Sequence, residues 1–416
     1  MRARWTRRRT MPAIKEARSS RLRAAGLTLP LIAFIAVTFI APLGNLLTRS
    51  VYDAEVADIL PETLAALAKW DGSGTPSEAT FATMASELLR ARDERTLGRA
   101  ATRINRIQSG LRSVIVKTPR RLGRDVGTEP PNGGTWQDAL LAIDEDWGET
   151  ATWLAIREAG QRFTARHFLN AVDLETRADG SSGAMPETRR IYVPLYLRTL
   201  WVSIGVTLLC LVIGYPIAHA IVHAGPRWST TLLVLVLVPF WTSLLVRTTA
   251  WIVLLQNQGV VNDILVALGI VADDERIAMI YNMTGTFVAM THVLLPFMVL
   301  PLYSVMRSIP ARHMDAAASL GATPMQAFRR VYWPQTLPGV GAGALLVFIL
   351  AIGYYITPAL VGGQSGQLIS NMIAYHMQTS LNWGLAAALA AILLLAVIGL
   401  YVLYDRVVGI DRMRLG

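Results

Sequence analysis

The chain has 416 residues and a formal net charge of +10, and 53% of its residues are hydrophobic whereas only 16% are charged. With a mean hydropathy of +0.40, this composition excludes an ordinary soluble domain and favours a membrane protein. The basic excess would suggest a nucleic-acid partner in a soluble chain, but here it lies beside apolar runs, which argues against that class.

Six apolar runs are long enough to cross a bilayer, which takes about 20 residues of helix. We therefore predict an all-α membrane protein with six transmembrane helices, at about residues 24–47, 199–222, 230–255, 284–303, 339–360 and 383–404. Prolines inside or at the ends of these runs favour kinked helices such as those that surround a transport pathway: Pro216, Pro239, Pro296, Pro301 and Pro358.

Residues 1–23 carry nine basic side chains against one acid, Glu16, directly before the first run. Basic residues next to a span stay in the cytoplasm, so this segment is predicted to be a basic cytoplasmic N-terminus. The first run, 24–47, is longer than the apolar part of a signal peptide and has no Ala-x-Ala site after it, which predicts a retained anchor.

Residues 48–198 are predicted to form a helical extracytoplasmic domain, inserted between the first two spans. Apolar residues at three- and four-residue spacing predict its helices: 61–69, 77–93, 95–117, 135–144 and 150–169. Residues 174–188 contain Gly180-Ser181-Ser182-Gly183, which predicts a flexible return linker to the membrane.

The remaining five spans, within residues 199–405, alternate across the membrane, so both termini are predicted to be cytoplasmic. The predicted cytoplasmic segments carry an excess of arginine: 224–229, 304–338 and the tail 406–416. The predicted outer loops, 256–283 and 361–382, carry only Arg276 against four acids. The single cysteine, Cys210, lies inside a span and is interpreted as a packing residue.

One cytoplasmic stretch between the fourth and fifth spans is amphipathic. Residues 312–320 are rich in alanine, and Gly321 tolerates the left-handed conformation that ends a helix. Thr323 then offers an N-cap hydroxyl and Pro324 suits the first helical position, so a second short helix is predicted until Pro334 stops it. Two short helices at a glycine corner make a knob that fits a groove on a soluble partner. The alternative is an interfacial helix on the lipid headgroups.

This stretch resembles the cytoplasmic coupling motif of bacterial ABC importer permeases in its spacing: Asp315-Ala316-Ala317, three residues, Gly321, nine residues, Val331, one residue, Trp333-Pro334. The family pattern has Glu, Ile and Leu where this chain has Asp315, Val331 and Trp333. Stretches of the later spans are similar to permeases of the spermidine/putrescine type: 197–203, 214–218, 238–251, 295–303, Gly362-Gly363 and Asn382-Trp383.

The resemblance implies a type I ABC importer permease core over 199–405 in a bacterial inner membrane. Its implied partners are a second permease subunit, two ATP-binding subunits and an extracytoplasmic substrate-binding protein. No enzyme activity is expected in this chain, because ATP and Mg belong to the ATPase subunits; consistent with this, the chain has no G-x-x-x-x-G-K-[ST] loop. The resemblance assigns ATPase coupling to the 311–334 segment, through Arg312, Asp315, Ala316, Ala317, Gly321, Pro324, Arg329, Arg330, Val331, Trp333 and Pro334.

Arg247 is the one charge well inside a predicted span, where an unpaired guanidinium costs about 3 kcal/mol. It therefore lines a water-filled path, bonds to carbonyls at a kink or snorkels outward. Because these spans lack carboxylates before Asp405, aromatic faces are the candidates for holding an amine, although anchoring at the membrane interface explains Trp251 and Trp383 equally. The candidate path residues are Trp241, Arg247, Trp251, His292, Tyr354, Tyr355 and Trp383.

The sequence thus leads to the hypothesis of a permease subunit that imports a small amine such as spermidine or putrescine. Alternative cargoes within the same importer class are an opine, aminobutyrate and aminoethylphosphonate. A more distant alternative is a membrane sensor or enzyme that works through its extracytoplasmic domain. No metal site is expected, because the i,i+4 pair His219 and His223 has no third ligand nearby in sequence.

Overall fold

The chain divides into two compact units between Ala165 and Arg166. The computed structural model describes three stretches of it, residues 26–123, 130–176 and 182–408. The sequence instead predicts the end of the outside domain at residue 198. The difference arises because the residues that follow Arg166 pack with later helices, where Ala171 shares an apolar core with Leu389. The basic segment 1–23 lies outside the described residues.

The first unit begins with α1 (Gly26–Thr48), which has the length and apolar composition of a membrane span. This agrees with the predicted run 24–47. The other helices of the unit, α2 to α8, are Glu55–Ile59, Pro61–Leu67, Glu78–Asp93, Leu97–Asn105, Leu111–Leu122, Trp136–Ile143 and Thr150–Ala159, with 3-10 turns at Pro131–Gly133 and Glu145–Gly148.

Helices α2 to α8 enclose an aromatic core. Phe81, Trp147 and Trp153 are fully buried, and the rings of Phe81 and Trp153 meet edge to face with centroids 4.8 Å apart. Both indoles have hydrogen-bond partners, because Trp153 Nε1 donates to the carbonyl of Trp147 and Trp147 Nε1 donates to Thr118 Oγ1, each at 2.9 Å. The unit therefore has an aromatic core of its own, in which both buried indole N–H groups are bonded.

Two of the predicted helices in this region are wrong in length. The stretch 95–117 forms two helices, α5 and α6, because Gly110 adopts φ +102° between them. The stretch 150–169 is also interrupted. Helix α8 ends at Ala159, and the next helix, α9 (Arg166–Ala171), belongs to the second unit.

Two helices of the first unit are capped by carboxylates from α4. The side chain of Glu87, only 1% exposed, accepts the backbone N–H groups of Glu62 and Thr63 at 2.9 and 3.0 Å, at the start of α3. Arg90 lies 3.1 Å from the same carboxylate. Glu78 accepts the first N–H groups of α7 in the same way. These bonds satisfy helix ends that would otherwise be buried without partners.

After α9, the second unit contains a small hairpin. Strands β1 (Leu174–Thr176) and β2 (Ser182–Ala184) pair antiparallel, with Leu174 opposite Ala184. The predicted flexible linker over 174–188 is therefore wrong where these strands pair. Residues 177–181 lie outside the described residues.

Asp173 fixes the point at which the chain returns to the membrane. Its carboxylate accepts three successive backbone N–H groups at the start of α10 (Tyr192–His223), at 2.7 to 3.1 Å. A negative charge at this position also complements the positive end of the helix dipole.

Six helices of the described residues meet the length and apolarity of a membrane span, which confirms the predicted number. They are Gly26–Thr48, Tyr192–His223, Leu244–Ala267, Met283–Ser308, Pro324–Ile352 and Trp383–Arg406. In the second unit the helices after α10 are numbered α11 to α20: Pro226–Trp241, Leu244–Leu255, Val260–Ala267, Met283–Ser308, Arg312–Ser319, Pro324–Ala327, Trp333–Ile352, Ile356–Val361, Ile369–Gln378 and Trp383–Val408.

The third predicted span differs from the structure. The run 230–255 is broken between α11 and α12, because the chain is extended at Thr242 and Ser243. Pro239 lies in the last turn of α11, where it cannot donate a helical hydrogen bond. The candidate span found here is instead Leu244–Ala267, which comprises α12, a turn at residues 256–259 and α13.

The long helices alternate in direction. α10 runs parallel to α14, since Gly205 faces Phe287 and Gly214 faces Met298. α17 runs antiparallel to α14, since Gly343 faces Met298 whereas the earlier Gly339 faces the later Val305.

Ring contacts extend this alternation to α11 and α12. α11 and α12 are antiparallel to α14, because Phe240 meets Phe297 at 5.0 Å whereas Trp251 meets the earlier His292 at 5.4 Å, measured between ring centroids. The turn between α10 and α11 and the segment 309–332 therefore lie at one end of the unit. Segments 256–282 and 353–382 lie at the other end.

Replacing Glu87 tests the carboxylate cap. We expect Glu87→Leu to destabilise α3 by about 2 kcal/mol, because buried N–H groups lose their acceptor. Hydrogen exchange measured by mass spectrometry on the full-length protein will show faster exchange in peptides that cover Pro61–Leu67. Glu94→Leu, at an exposed position just beyond α4, is the matched control, and equal exchange in the two variants would contradict the role of the cap.

Candidate functional site

The segment between α14 and α17 forms the predicted glycine-cornered knob. Its first helix, α15, is followed by Gly321 at φ +84°, a left-handed conformation that a side chain would strain. Thr323 and Gln326 form a capping box at the start of α16, with the Thr323 N–H donating to Gln326 Oε1 at 3.0 Å. Pro324 occupies the first helical position, as predicted.

The predicted stop at Pro334 is wrong. α16 continues through a π-helical turn, Phe328–Tyr332, directly into the membrane helix α17. Pro334 lies in the first turn of α17, where a proline is tolerated. The wider π turn before it makes room for the proline ring, and Gln335 Nε2 donates to the carbonyl of Val331 at 2.7 Å. The knob is therefore one rigid extension of a span.

The inner corner of the knob is a groove of about 590 Å³ walled largely by alanine. Ala317 and Ala327 are buried at its base, whereas Leu320 is 89% exposed at its rim. A hydrogen bond of 2.8 Å between His313 and Gln335 joins the two arms of the knob. The lining residues are His313, Ala316, Ala317, Leu320, Ala322, Gln326, Ala327, Arg330, Val331 and Gln335.

The charged residues predicted for coupling lie on the knob, and one of them, Arg330, lines the groove. Arg312, Asp315, Arg329 and Arg330 are all exposed, and none of them belongs to an ion pair found among the described residues. The side chains of Trp333 and Pro334 are exposed, whereas Val331 is half-buried. The structure thus brings the predicted coupling residues together on one knob with an apolar groove and a charged rim.

An aromatic cluster that the sequence reasoning missed joins the knob to α10. The imidazoles of His219 and His223 stack with centroids 4.1 Å apart, and Tyr332 meets His219 at 5.5 Å. One helical turn earlier, Tyr215 meets Trp333 at 4.9 Å. The three aromatic residues at 328, 332 and 333 indicate an aromatic contact, but the sequence does not reveal their partners, which lie more than a hundred residues earlier. Among the described residues no group of three potential metal ligands occurs.

Arg247 acts at the break between α11 and α12. Its Nη2 donates to the carbonyl of Thr242 at 3.0 Å, which is one of the groups that the break releases. Its Nε is buried and has no hydrogen-bond partner among the described residues. Trp251, one turn further along α12, donates from Nε1 to His292 Nδ1 at 3.1 Å.

Four of the predicted path residues lie in one region of the unit. Trp251 bonds to His292, Arg247 lies one turn before Trp251 on α12, and Arg247 interacts electrostatically with His292 and Tyr354. The other three are not part of it. Trp241 is 75% exposed and Tyr355 is 40% exposed, while half-buried Trp383 begins α20. These three remain candidates from the sequence alone.

Comparison with known proteins identifies the class of this unit. A family model for the binding-protein-dependent transport system inner membrane component matches residues 210–409. The spermidine/putrescine transport system permease protein PotB of Haemophilus influenzae is 36% identical over 228 residues, which cover 53% of this chain and 79% of that protein. The chain belongs to this permease family. PotB of Escherichia coli K12 is also 36% identical, over 236 residues that cover 55% of this chain and 85% of that protein.

A permease of this family is the membrane component of an ABC importer. With its six apolar helices, the protein is accordingly an inner-membrane protein of a bacterium, and the family match includes the knob, the aromatic cluster and Arg247. Among solved structures, a chain of a bacterial alginate ABC transporter aligns with a TM-score of 0.41 and 16% identity, over 52% of this chain and 78% of that one.

Replacing Arg247 tests its role at the helix break. We expect Arg247→Met to lower the thermal unfolding midpoint of the detergent-solubilised protein, because the Thr242 carbonyl loses its donor at a cost of about 1–3 kcal/mol. Val246→Met introduces the same side chain at a neighbouring position that is 65% exposed and serves as the control. If both variants unfold at the same temperature as the unmodified protein, Arg247 does not hold the break.

Proposed function

We propose that this permease forms half of the translocation path for a small polyamine such as spermidine or putrescine. The observation that carries the proposal is the 36% identity to PotB over most of that protein's length. The other half of the path is a second permease subunit. ATP and Mg are bound by two ATPase subunits, and the cargo is delivered by an extracytoplasmic substrate-binding protein.

The proposed docking surface for the ATPase is the knob. Its alanine-walled groove accepts an apolar side chain of the partner, while Arg312, Asp315, Arg329 and Arg330 pair with charges around it. Because the knob continues into α17 without a break, a push from the ATPase is transmitted along that span. The aromatic contacts of Tyr332 with His219 and His223 transmit it to α10 as well.

Charge distribution supports a cytoplasmic position for the knob and for both termini. The end of the second unit that holds the knob carries Arg227, Arg307, Arg312, Arg329 and Arg330. The opposite end carries Arg276, which is bound to Asp263 and Asp273 at 2.7 and 2.8 Å. The helical unit after α1 is then extracytoplasmic, where it can approach the binding protein.

The proposed path passes the cluster of Arg247, Trp251, His292 and Tyr354. Helices α10, α11, α12, α14 and α17 contain no Asp or Glu, so a polyamine meets aromatic faces rather than carboxylates. Cation–π contacts hold such a cargo by about 0.5–2 kcal/mol each, which permits rapid release. Selectivity then depends on the binding protein, and the path needs only to let the bound amine through.

A bulky charge in the groove tests the coupling surface. We expect Ala317→Arg to abolish uptake while the protein stays in the membrane at its normal level, because the guanidinium fills the space that the partner enters. Transport and ATPase activity are measured together in vesicles. Gly321→Asp should act likewise, since its φ of +84° strains any side chain. Ala272→Arg, an exposed alanine in the segment at the opposite end, is the control; normal uptake by Ala317→Arg would refute the assignment.

The cargo is tested on the binding protein that co-purifies with the permease complex. We expect spermidine or putrescine to raise its melting temperature, because a ligand at a hundred times its Kd stabilises a protein by about 2.7 kcal/mol. Opines, aminobutyrate and aminoethylphosphonate are compared at equal concentration. A shift with one of these and none with either polyamine would overturn the polyamine assignment while leaving the permease assignment intact.

A further inference from the structure

The helical part of the first unit follows α1 without a linker. α1 ends at Thr48, and the N–H of Tyr52 donates to the carbonyl of Thr48 at 2.9 Å. The N–H groups of Ser50 and Val51 bond back to the same last turn at 3.1 Å. A helix of 23 residues is about 34 Å long, whereas the hydrocarbon core is about 30 Å thick. When α1 spans the bilayer, Val51 and Tyr52 therefore lie in the headgroup layer.

The chain enters and leaves the helical part of the first unit at the same place. Tyr52 and Phe163 form an antiparallel bridge. On either side of it, the N–H of Asp53 donates to the carbonyl of Arg162 and the N–H of Thr164 donates to that of Val51, both at 2.9 Å. These bonds hold Phe163 at the level of Tyr52, although the two residues are far apart in sequence.

The side chains at this place are apolar and uncovered. Phe163 is 74% exposed, and Val51 and Tyr52 are each 41% exposed. The rings of Tyr52 and Phe163 meet edge to face with centroids 5.2 Å apart, so they form one patch. In the part of the unit that follows α1, by contrast, Phe81, Trp147 and Trp153 are fully buried. Exposed aromatic rings, above all those with a polar group, concentrate at membrane–water interfaces.

We propose that Val51, Tyr52 and Phe163 form a membrane seat, by which the helical unit rests on the phospholipid headgroup layer where α1 leaves the bilayer. Phospholipid is the occupant because the patch is bonded to the last turn of a membrane span and cannot move away from it. Seating the Phe163 ring there removes its apolar surface from water. Both ends of the unit are then anchored, and its orientation over the membrane is fixed.

The test places an environment-sensitive fluorophore on the seat of the full-length protein. Cys210 is the only cysteine, so Cys210→Ala gives a background in which a single new thiol can be labelled with NBD. The variants are Phe163→Cys and Val51→Cys, the second of which leaves both rings in place. The protein is reconstituted in nanodiscs of phosphatidylethanolamine and phosphatidylglycerol that contain lipids with a nitroxide near the headgroup. We expect blue-shifted emission and several-fold stronger quenching than at the control.

The control is Ala142→Cys, an exposed position on α7. Emission and quenching at both seat positions equal to those of Ala142 would mean that the patch is in water, which overturns the proposal. Blue-shifted emission without lipid quenching would mean that protein covers the patch, which overturns it as well. Lipid quenching at Val51→Cys with the rings intact supports the seat even if Phe163→Cys disturbs the bridge.

Discussion

A backbone inside a bilayer has no water to bond, so each peptide group released by a helix break needs a partner within the protein. At several interruptions in this permease, polar side chains donate hydrogen bonds to backbone carbonyls. The donors and their carbonyl acceptors are Arg247 with Thr242, Gln335 with Val331, Ser370 with Tyr354, and Asn371 with Tyr355. The positions of these few polar residues therefore decide where the spans can bend.

This constraint connects the two candidate functional regions. Arg247 holds the break in the third span beside His292 and Tyr354, and Gln335 supports the π turn at the root of the knob. A polar residue that satisfies a break also places a polar group inside the bundle, on the path that we propose for the cargo. Arg247 can therefore have both a structural role and a role in lining the path. Its Nη2 bonds the backbone, whereas its Nε has no partner among the described residues.

Much of the architecture follows from local sequence. Apolar length alone predicts six spans, and the alanine run, Gly321, Thr323 and Pro324 predict the knob, because each acts through its own backbone conformation. The course beyond Pro334 could not be predicted in this way, since a proline stops a helix in its interior but is accepted in the first turn. The sequence pattern around Pro334 is the same whether the proline ends one helix or lies in the first turn of the next.

Features that depend on residues distant in sequence could also not be predicted from the local sequence. The cap of α10 comes from Asp173, and the contacts of Tyr332 come from His219 and His223, so no local pattern contains them. The helix break at Thr242 could not be predicted, because apolar residues continue on both sides of it. The division at Ala165 reflects which core each segment joins, and that is decided by packing rather than by composition.

The bridge between Tyr52 and Phe163 has an evolutionary consequence. A domain whose first and last residues lie side by side can enter or leave a gene as a block, because the flanking chain meets only a short gap. The permease relatives align with about half of this chain, and the permease family match begins at residue 210. Because its two ends lie side by side, the helical unit can be gained or lost as a block without a change in the transport core.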